Sequence, residues 1–346
     1  MKILIKFIII LIVFFKTGNL LSENYLFNVN NILVEKNNNS TNKQLSNFAI
    51  KKGFNQLAKR ILLEEDFKKI SDLNSSSINE LVEYYNFSEN SEEQPNKLSF
   101  NITFDKKKIH NLFYKRSISY ADIEDKELFI LPIVLSNSDI FIFSNNYFNE
   151  KWNLFSEKEL IEFIIPSENI EIIQFINQSR NNLSELNLNR LFKEYPNKNA
   201  AFVLIEENES IDQKIYLKVR IQKKIISKNI TFKKKDINQN QLKEKIISEI
   251  KDNLINLIKS QNLINITTPS FINVKFYLDN KNNLVKLNSK IRKIDLIENV
   301  FVQEFNKDYI DLKIKYLGKL EKIILKLNNE NINLQFKNDQ WLMKVL

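Results

Sequence analysis

Apolar and polar positions recur along this chain with two periods, two and three-to-four, and they divide it into strands and helices before any motif is considered. At 25–35 (YLFNVNNILVE), Tyr25, Phe27 and Val29 fall on one face of a strand. The polar run that follows offers Ser40 and Thr41 as a helix N-cap. From 42 to 63, Leu45, Phe48, Ala49, Leu57, Ala58, Ile61 and Leu62 form the apolar stripe of a helix that must lie on a sheet. Its basic end, Lys59-Arg60, suits the helix dipole. A polar loop at 68–77 leads into a short helix at 78–85. Leu98, Phe100, Ile102 and Phe104 mark a period-two strand, and Asp105 stands at the N-cap of a helix carrying Ile109, Leu112, Phe113 and Tyr114. The apolar run 127–135 pairs with 139–147 as a hairpin, in which Pro132 demands an edge or a bulge.

Further along, 157–164 has helical spacing, 170–175 reads as a strand, and 186–195 reads as a helix stopped by Pro196. Strands are expected at 200–205, 214–222 and 225–233. The strongest helix is 239–261, with Leu242, Ile246, Ile250, Leu254, Leu257 and Ile258 on one stripe. The remainder reads strand (271–278), helix (Leu284 to Ile294), strands 300–305 and 309–316, helix (Leu320 to Leu327) and strand 332–336. This βαββαβ order is ferredoxin-like, and 341–346 packs on its edge. The expected fold is therefore α+β and multi-domain, with antiparallel sheets packed against helices. An N-terminal α+β domain takes 23–150, a middle α/β domain ending in the long helix takes 151–265, and the ferredoxin-like domain takes 266–346.

The first 22 residues stand apart. Lys2 and Lys6 precede the unbroken apolar run Phe7 to Phe15, Lys16-Thr17-Gly18-Asn19 breaks it, and Ser22 stands just before Glu23. That order matches a secretory signal peptide at 1–22. A retained inner-membrane anchor is the alternative, but spanning needs ~20 apolar residues, more than this run supplies.

Composition narrows the chemistry. The sequence has no cysteine and only three glycines, at 18, 53 and 318. Thiol catalysis, thiolate metal sites, disulfides and a lipidated N-terminal cysteine are excluded, as are the glycine-rich phosphate loops of nucleotide-binding folds. The formal charge of +9 accompanies heavy use of Asn, Lys, Ile and Phe. AT-rich codons explain that usage, while an anionic membrane surface or polyanion is the electrostatic alternative.

The single histidine, His110, lacks the partners of a catalytic triad or a multi-histidine metal site, and reads as a surface or capping residue. Asp122, Glu124 and Asp125, like Glu64-Glu65-Asp66, read as solvated turns, because a calcium loop wants a glycine that is missing. Ser40 to Lys43 fits Ser-x-x-Lys, but the companion motifs are absent and capping explains it. The basic runs Lys106–Lys108 and Lys233–Lys235 read as solvated element edges, and no nucleic-acid partner is expected.

The exported start, the strand–helix pair at 25–63, and Val82-Glu83-Tyr84-Tyr85 leading to Leu98-Ser99-Phe100-Asn101-Ile102-Thr103-Phe104-Asp105 carry a resemblance. So do Leu112 and Arg116–Tyr120 (RSISY) ahead of the apolar strand 128–135. The chain resembles, over roughly 25–261 and in pattern more than identity, the bacterial family called domain of unknown function 2066. Ala49, Lys51 and Gly53 stand near the family's usual Arg and Gly, and 122–127 replaces its Trp-Arg-Pro run. The resemblance implies a Gram-negative periplasmic protein without established activity, and supplies no catalytic residues.

The sequence thus leads to an exported, non-catalytic α+β protein with no catalytic, metal or cofactor residues assigned. It binds another envelope protein through a sheet edge or the C-terminal module. The alternatives are an envelope hydrolase using a carboxylate pair, and a carrier of lipids or amphiphiles.

Overall fold

Helices and sheets share the chain in the α+β manner expected. The structure is a computed structural model that describes residues 26–36, 40–89, 96–154, 160–207, 212–233, 239–278 and 281–346. The expected signal segment 1–22 lies outside the described residues. Two compact units are present: one joins the residues up to Ser119 with Ile264–Leu346, and the other is Tyr120–Leu263. A boundary at 150–151 would cut through the second unit, because the strand at 127–136 pairs with strands near residue 200. Sequence adjacency could not reveal that pairing.

In the first unit, strand β1 (Asn28–Glu35) shows why simple alternation misleads. Phe27 and Val29 point inward, and a bulge then sets Asn30 and Asn31 opposite Asn101 alone. Asn31 takes a left-handed φ of 59° and donates its N–H to Asn101 Oδ1 at 3.0 Å. The slip turns Ile32 and Val34 inward, so one face stays apolar. Helix α1 (Asn42–Ile61) begins in a capping box in which Thr41 and Gln44 satisfy each other's backbone N–H. It buries Leu45, Ala49, Ile50, Phe54 and Leu57, whereas Phe48, expected on the stripe, is 60% exposed. Gly53 lets α1 approach the sheet: a Cβ there would stand 2.6 Å from Ile32 Cδ1 and 3.1 Å from Ile102 Cδ1. Helix α2 (Ser75–Glu80) is shorter than expected, since Val82–Glu89 is strand β2. Strand β3 (Lys97–Phe104) lies between β1 and β2, antiparallel to both. Asp105 caps helix α3 (Lys106–Lys115), as its position predicted, accepting from Lys108 N–H at 3.1 Å.

The second unit is built on β4 (Glu127–Ser136), whose run LFILPIV is buried on both faces. Its hairpin partner β5 (Asp139–Phe141) is shorter than the expected 139–147, because Tyr147–Lys151 forms helix α4. Two readings reverse type: Glu162–Ile164 is strand β6 and Ile170–Gln178 is helix α5, capped by Asn169. Only Leu188–Leu191 of the expected helix at 186–195 is α-helical (α6). Strands β7 (Ala200–Glu207), β8 (Asp212–Ile221) and β9 (Lys224–Lys233) complete the sheet in the order β9-β8-β7-β4-β5, with β6 also on β4. Helix α7 (Gln239–Gln261) matches its expected bounds and packs Ile246, Ile250, Leu254 and Ile258 on one face. Helices α5 and α6 cover the other with Ile172, Ile176, Leu188 and Leu191.

Pro132 sits inside this sheet rather than on an edge strand. On one side it pairs with Val203 of β7; on the other, β6 meets β4 only at 127–129 and β5 only at 134–136. Asn146 closes the gap. Its amide donates to the carbonyls of Pro132 (2.9 Å) and Ile142 (2.8 Å), while its Oδ1 accepts from Phe148 N–H (3.1 Å) and caps α4. A strand residue aims its N–H and C=O to the same side, so the donor proline lacks is not missed on the β7 side.

The C-terminal part of the first unit keeps the expected order: β10 (Ser270–Tyr277), α8 (Lys281–Ile291), β11 (Ile297–Phe305), β12 (Tyr309–Tyr316), α9 (Leu320–Asn329) and β13 (Ile332–Lys337). The last stretch does not rest on an edge. Gln340–Val345 is strand β14, placed between β10 and β13, parallel to the first and antiparallel to the second. Asn338 and Asp339, both at positive φ, make the tight turn that returns β14 beside β13. No helix among the described residues is long and apolar enough to cross a membrane.

Asn146 generates a stability prediction for the second unit. Asn146→Ala leaves the Pro132 and Ile142 carbonyls and the Phe148 N–H unpaired, and is expected to cost about 3 kcal/mol. Asn146→Asp keeps the acceptor but aims a carboxylate at carbonyl oxygens, and is expected to cost more. Urea midpoints measure both; an Asn146→Ala variant as stable as the parent would show that Asn146 does not hold the gap.

Candidate binding edges

A sheet edge presents unpaired backbone groups, and proteins usually blunt it with lysines, prolines or bulges. In the second unit, edge strand β9 is blunted in this way by Lys224, Lys228 and Lys233. In the first unit, β1 carries the Asn30–Asn31 bulge. Strand β11 has two irregularities, at Glu298 and Gln303, yet exposes Val300, Phe301, Val302 and Phe305.

Strand β2 is open over most of its length. After one shift at Glu83 it pairs regularly with β3 from Tyr84 to Glu89, and this stretch contains no lysine and no proline. Tyr84, Tyr85 and Phe87 are 56%, 42% and 45% exposed. Their exposure follows from the register. Tyr85 lies opposite Ile102 and Phe87 opposite Phe100, on the face that α1 covers. The Phe87 ring stands 5.1 Å from that of Phe100, so the apolar face continues outward past its cover. Tyr84, opposite Thr103, lies on the other face among Asn86, Asn101 and Ser99. A strand laid against β2 would meet backbone donors and acceptors together with an aromatic step on one side. The expected helix at 78–85 hides these residues, because Val82–Tyr85 is its last turn in sequence and the start of β2 in the structure. The signal was the alternation Tyr85, Phe87 continuing past it.

The residues singled out for chemistry are dispersed. Thr41 is a cap, as expected for Ser40 to Lys43. Asp125 serves its turn, accepting from Glu127 N–H and Asn199 Nδ2 at 3.3 Å each, while Asp122 is buried rather than solvated. Glu64–Phe67 is a helical turn rather than an open loop, and its Asp66 is buried against Lys69 at 2.6 Å. Among the described residues no group of three or more His, Asp or Glu could hold a metal ion. Two exposed carboxylates, Asp72 and Glu171, are held below the usual range by Arg116 and Lys193. A small pocket in the second unit is lined by Pro166, Asn169, Ile172, Leu191 and Tyr195.

His110 departs from the surface role expected for it. It is 93% buried on α3, edge-on to Phe27 at 5.5 Å, with Nδ1 4.0 Å from Glu298 of β11. Lys106, one turn earlier, reaches the Ile297 carbonyl at 3.4 Å, 191 residues away in sequence. Glu298 also pairs with Lys315 at 2.8 Å. Burial above all, then Lys106, pushes the His110 pKa down to about 4, against a smaller opposing pull from Glu298. Of the basic runs, Lys106–Lys108 forms the first turn of α3, with Lys108 on the Glu80 carbonyl at 2.8 Å. Lys233 ends β9, and Lys234 and Lys235 lie outside the described residues.

Neither models of protein families, nor curated proteins, nor solved structures give a match to this chain.

His110 makes the first unit acid-sensitive. Its folded pKa of about 4 lies below the ordinary 6.5, so the unfolded chain takes up the proton first. The stability this provides is full above about pH 6.5 and falls away as pH drops towards 4, by about 3 kcal/mol. Urea unfolding across that range should show the loss in the parent and not in His110→Gln. Parallel pH profiles would contradict it.

Proposed function

We propose that this protein is an exported, non-catalytic binding module of the bacterial cell envelope, and that it takes an extended segment of another envelope protein as an added strand on β2. The observation that carries the reading is the regular edge from Tyr84 to Glu89, aromatic on both faces and without lysine or proline. Main-chain hydrogen bonds supply affinity in such additions, and alternate side chains supply selectivity. The partner segment is apolar at every second position, so that it extends the step formed by Tyr85 and Phe87. Export rests on the Lys2 to Ser22 pattern, and a periplasmic location on the resemblance to the family of domain of unknown function 2066.

A photo-crosslinking residue at Tyr84, in the full chain expressed in its host, tests this. The expected outcome is a mature N-terminus near Glu23 in the periplasmic fraction, and a crosslink mapped to an extended segment of one envelope protein. Tyr85→Lys with Phe87→Lys should abolish the crosslink while leaving the urea midpoint within about 1 kcal/mol, as surface changes do. A crosslink that survives both lysines removes β2 from the reading. Recovery from the cytosol with Met1 intact removes export.

A further inference from the structure

Helices α8 and α9 pack on one face of the C-terminal sheet, and the composition of its other face, which α3 meets at Glu298, differs from that of the edges. Register places Phe271, Asn273, Lys275 and Tyr277 of β10 on this open face, opposite Lys315, Lys313, Asp311 and Tyr309 of β12. Their neighbours Ile272, Val274 and Phe276 are buried beneath the helices. Phe301 of β11 lies beside Lys313, and Glu304 beside Asp311. On the other flank, Lys344 of β14 and Lys337 of β13 share the face.

The charges are unequal. Five lysines meet Asp311, Glu304 and the bulged Glu298, and each of those carboxylates is already engaged. Asp311 is paired with Lys275 at 3.3 Å, Glu298 with Lys315 at 2.8 Å, and Glu304 accepts from Tyr309 Oη at 2.8 Å. Lys313, Lys337 and Lys344 have no carboxylate partner among the described residues. The rings are placed in relation to these cations. Lys275 Nζ lies 3.4 Å over the Tyr309 ring, and Lys313 Nζ lies 4.8 Å over that of Phe271. Phe271, Tyr277 and Phe301 are about half exposed at the rim.

We infer that this open face binds an acidic polysaccharide. The centre presents ammonium groups and the Asn273 amide, which suit carboxylates and hydroxyls, and the rim presents the Tyr277 and Phe301 rings, which suit the C–H faces of sugars. From Phe271 to Tyr277 the face runs about 20 Å, enough for several sugar rings in file. Single-stranded nucleic acid fits less well. It stacks bases on a run of bare rings in a strongly basic groove, and here the Tyr309 and Phe271 rings already carry ammonium groups. The choice of a glycan rests on the proposed envelope location, whereas the surface does not use the β2 edge.

Binding is tested on the purified full chain with three probes: polygalacturonate, neutral dextran and an oligothymidylate. Polygalacturonate should bind, more weakly as salt rises, and dextran should not. Lys313→Gln with Lys344→Gln should weaken binding about tenfold or more, with unchanged circular dichroism and an unchanged β2 crosslink. Absence of polygalacturonate binding, binding indifferent to these lysines, or tighter binding of the oligothymidylate would overturn the inference. Those results leave the periplasmic N-terminus and the β2 crosslink to be judged separately.

Discussion

Burial of β4 on both faces sets the layering of the second unit. Leu128, Ile130 and Val134 enter one core and Phe129, Leu131 and Ile133 the other, so each face needs its own cover. The long stripe of α7 provides one, and the short helices α5 and α6 the other. A strand buried in this way needs neighbours on both flanks, and on one flank β7 runs beside it from Phe129 to Ser136. The opposite flank is assembled from β6, the Asn146 amide and β5, in that order along the strand. Pro132 occupies the only kind of place it can hold within a sheet, the gap where no strand asks for its N–H.

The first unit obeys a different constraint, the control of edges. Its N-terminal sheet has three strands and its C-terminal sheet five, so open edges are inevitable. There is no cysteine to staple them. Bulges at Asn30–Asn31, Glu298 and Gln303 do part of the work, and each also re-aims side chains. Insertion of β14 beside β10 gives the C-terminal sheet a protected centre. Against that background β2, regular from Tyr84 to Glu89, keeps three exposed aromatic side chains along its edge.

Legibility followed the locality of the interactions. Helices α1, α3 and α7 could be read because a stripe and a cap, such as Thr41 or Asp105, are written within the element itself. The hairpin of β8 and β9 could be read for the same reason. The stretch 170–175 reads as a strand because IEIIQFI is apolar at nearly every position, and only the Asn169 cap marks the helix Ile170–Gln178. The bulge in β1, the place of β14 and the pairing of β4 with β7 depend on distant partners. His110 is buried because β11 arrives from far along the chain, which spacing near residue 110 cannot show. The candidate site was legible only as a class: sheet edges were expected to bind, but Tyr84, Tyr85 and Phe87 were hidden in a misplaced helix end.

Magnitudes set limits on what the β2 edge can do alone. Tyr85 and Phe87 are already more than half covered, so covering the rest is worth on the order of 1 kcal/mol each. A handful of added main-chain hydrogen bonds contributes about 1 kcal/mol apiece net. Association costs at least about 4 kcal/mol in lost freedom, and more if the incoming segment must be ordered. The balance corresponds to weak binding, about millimolar. Tight and selective capture by this edge therefore requires a segment already extended in its own protein, or a second point of attachment that makes the strand addition effectively intramolecular. The charged open face of the C-terminal sheet uses none of the same residues and responds to salt where the apolar edge does not. Two surfaces of such different chemistry, carried on one unit, can be occupied without competing for the same side chains.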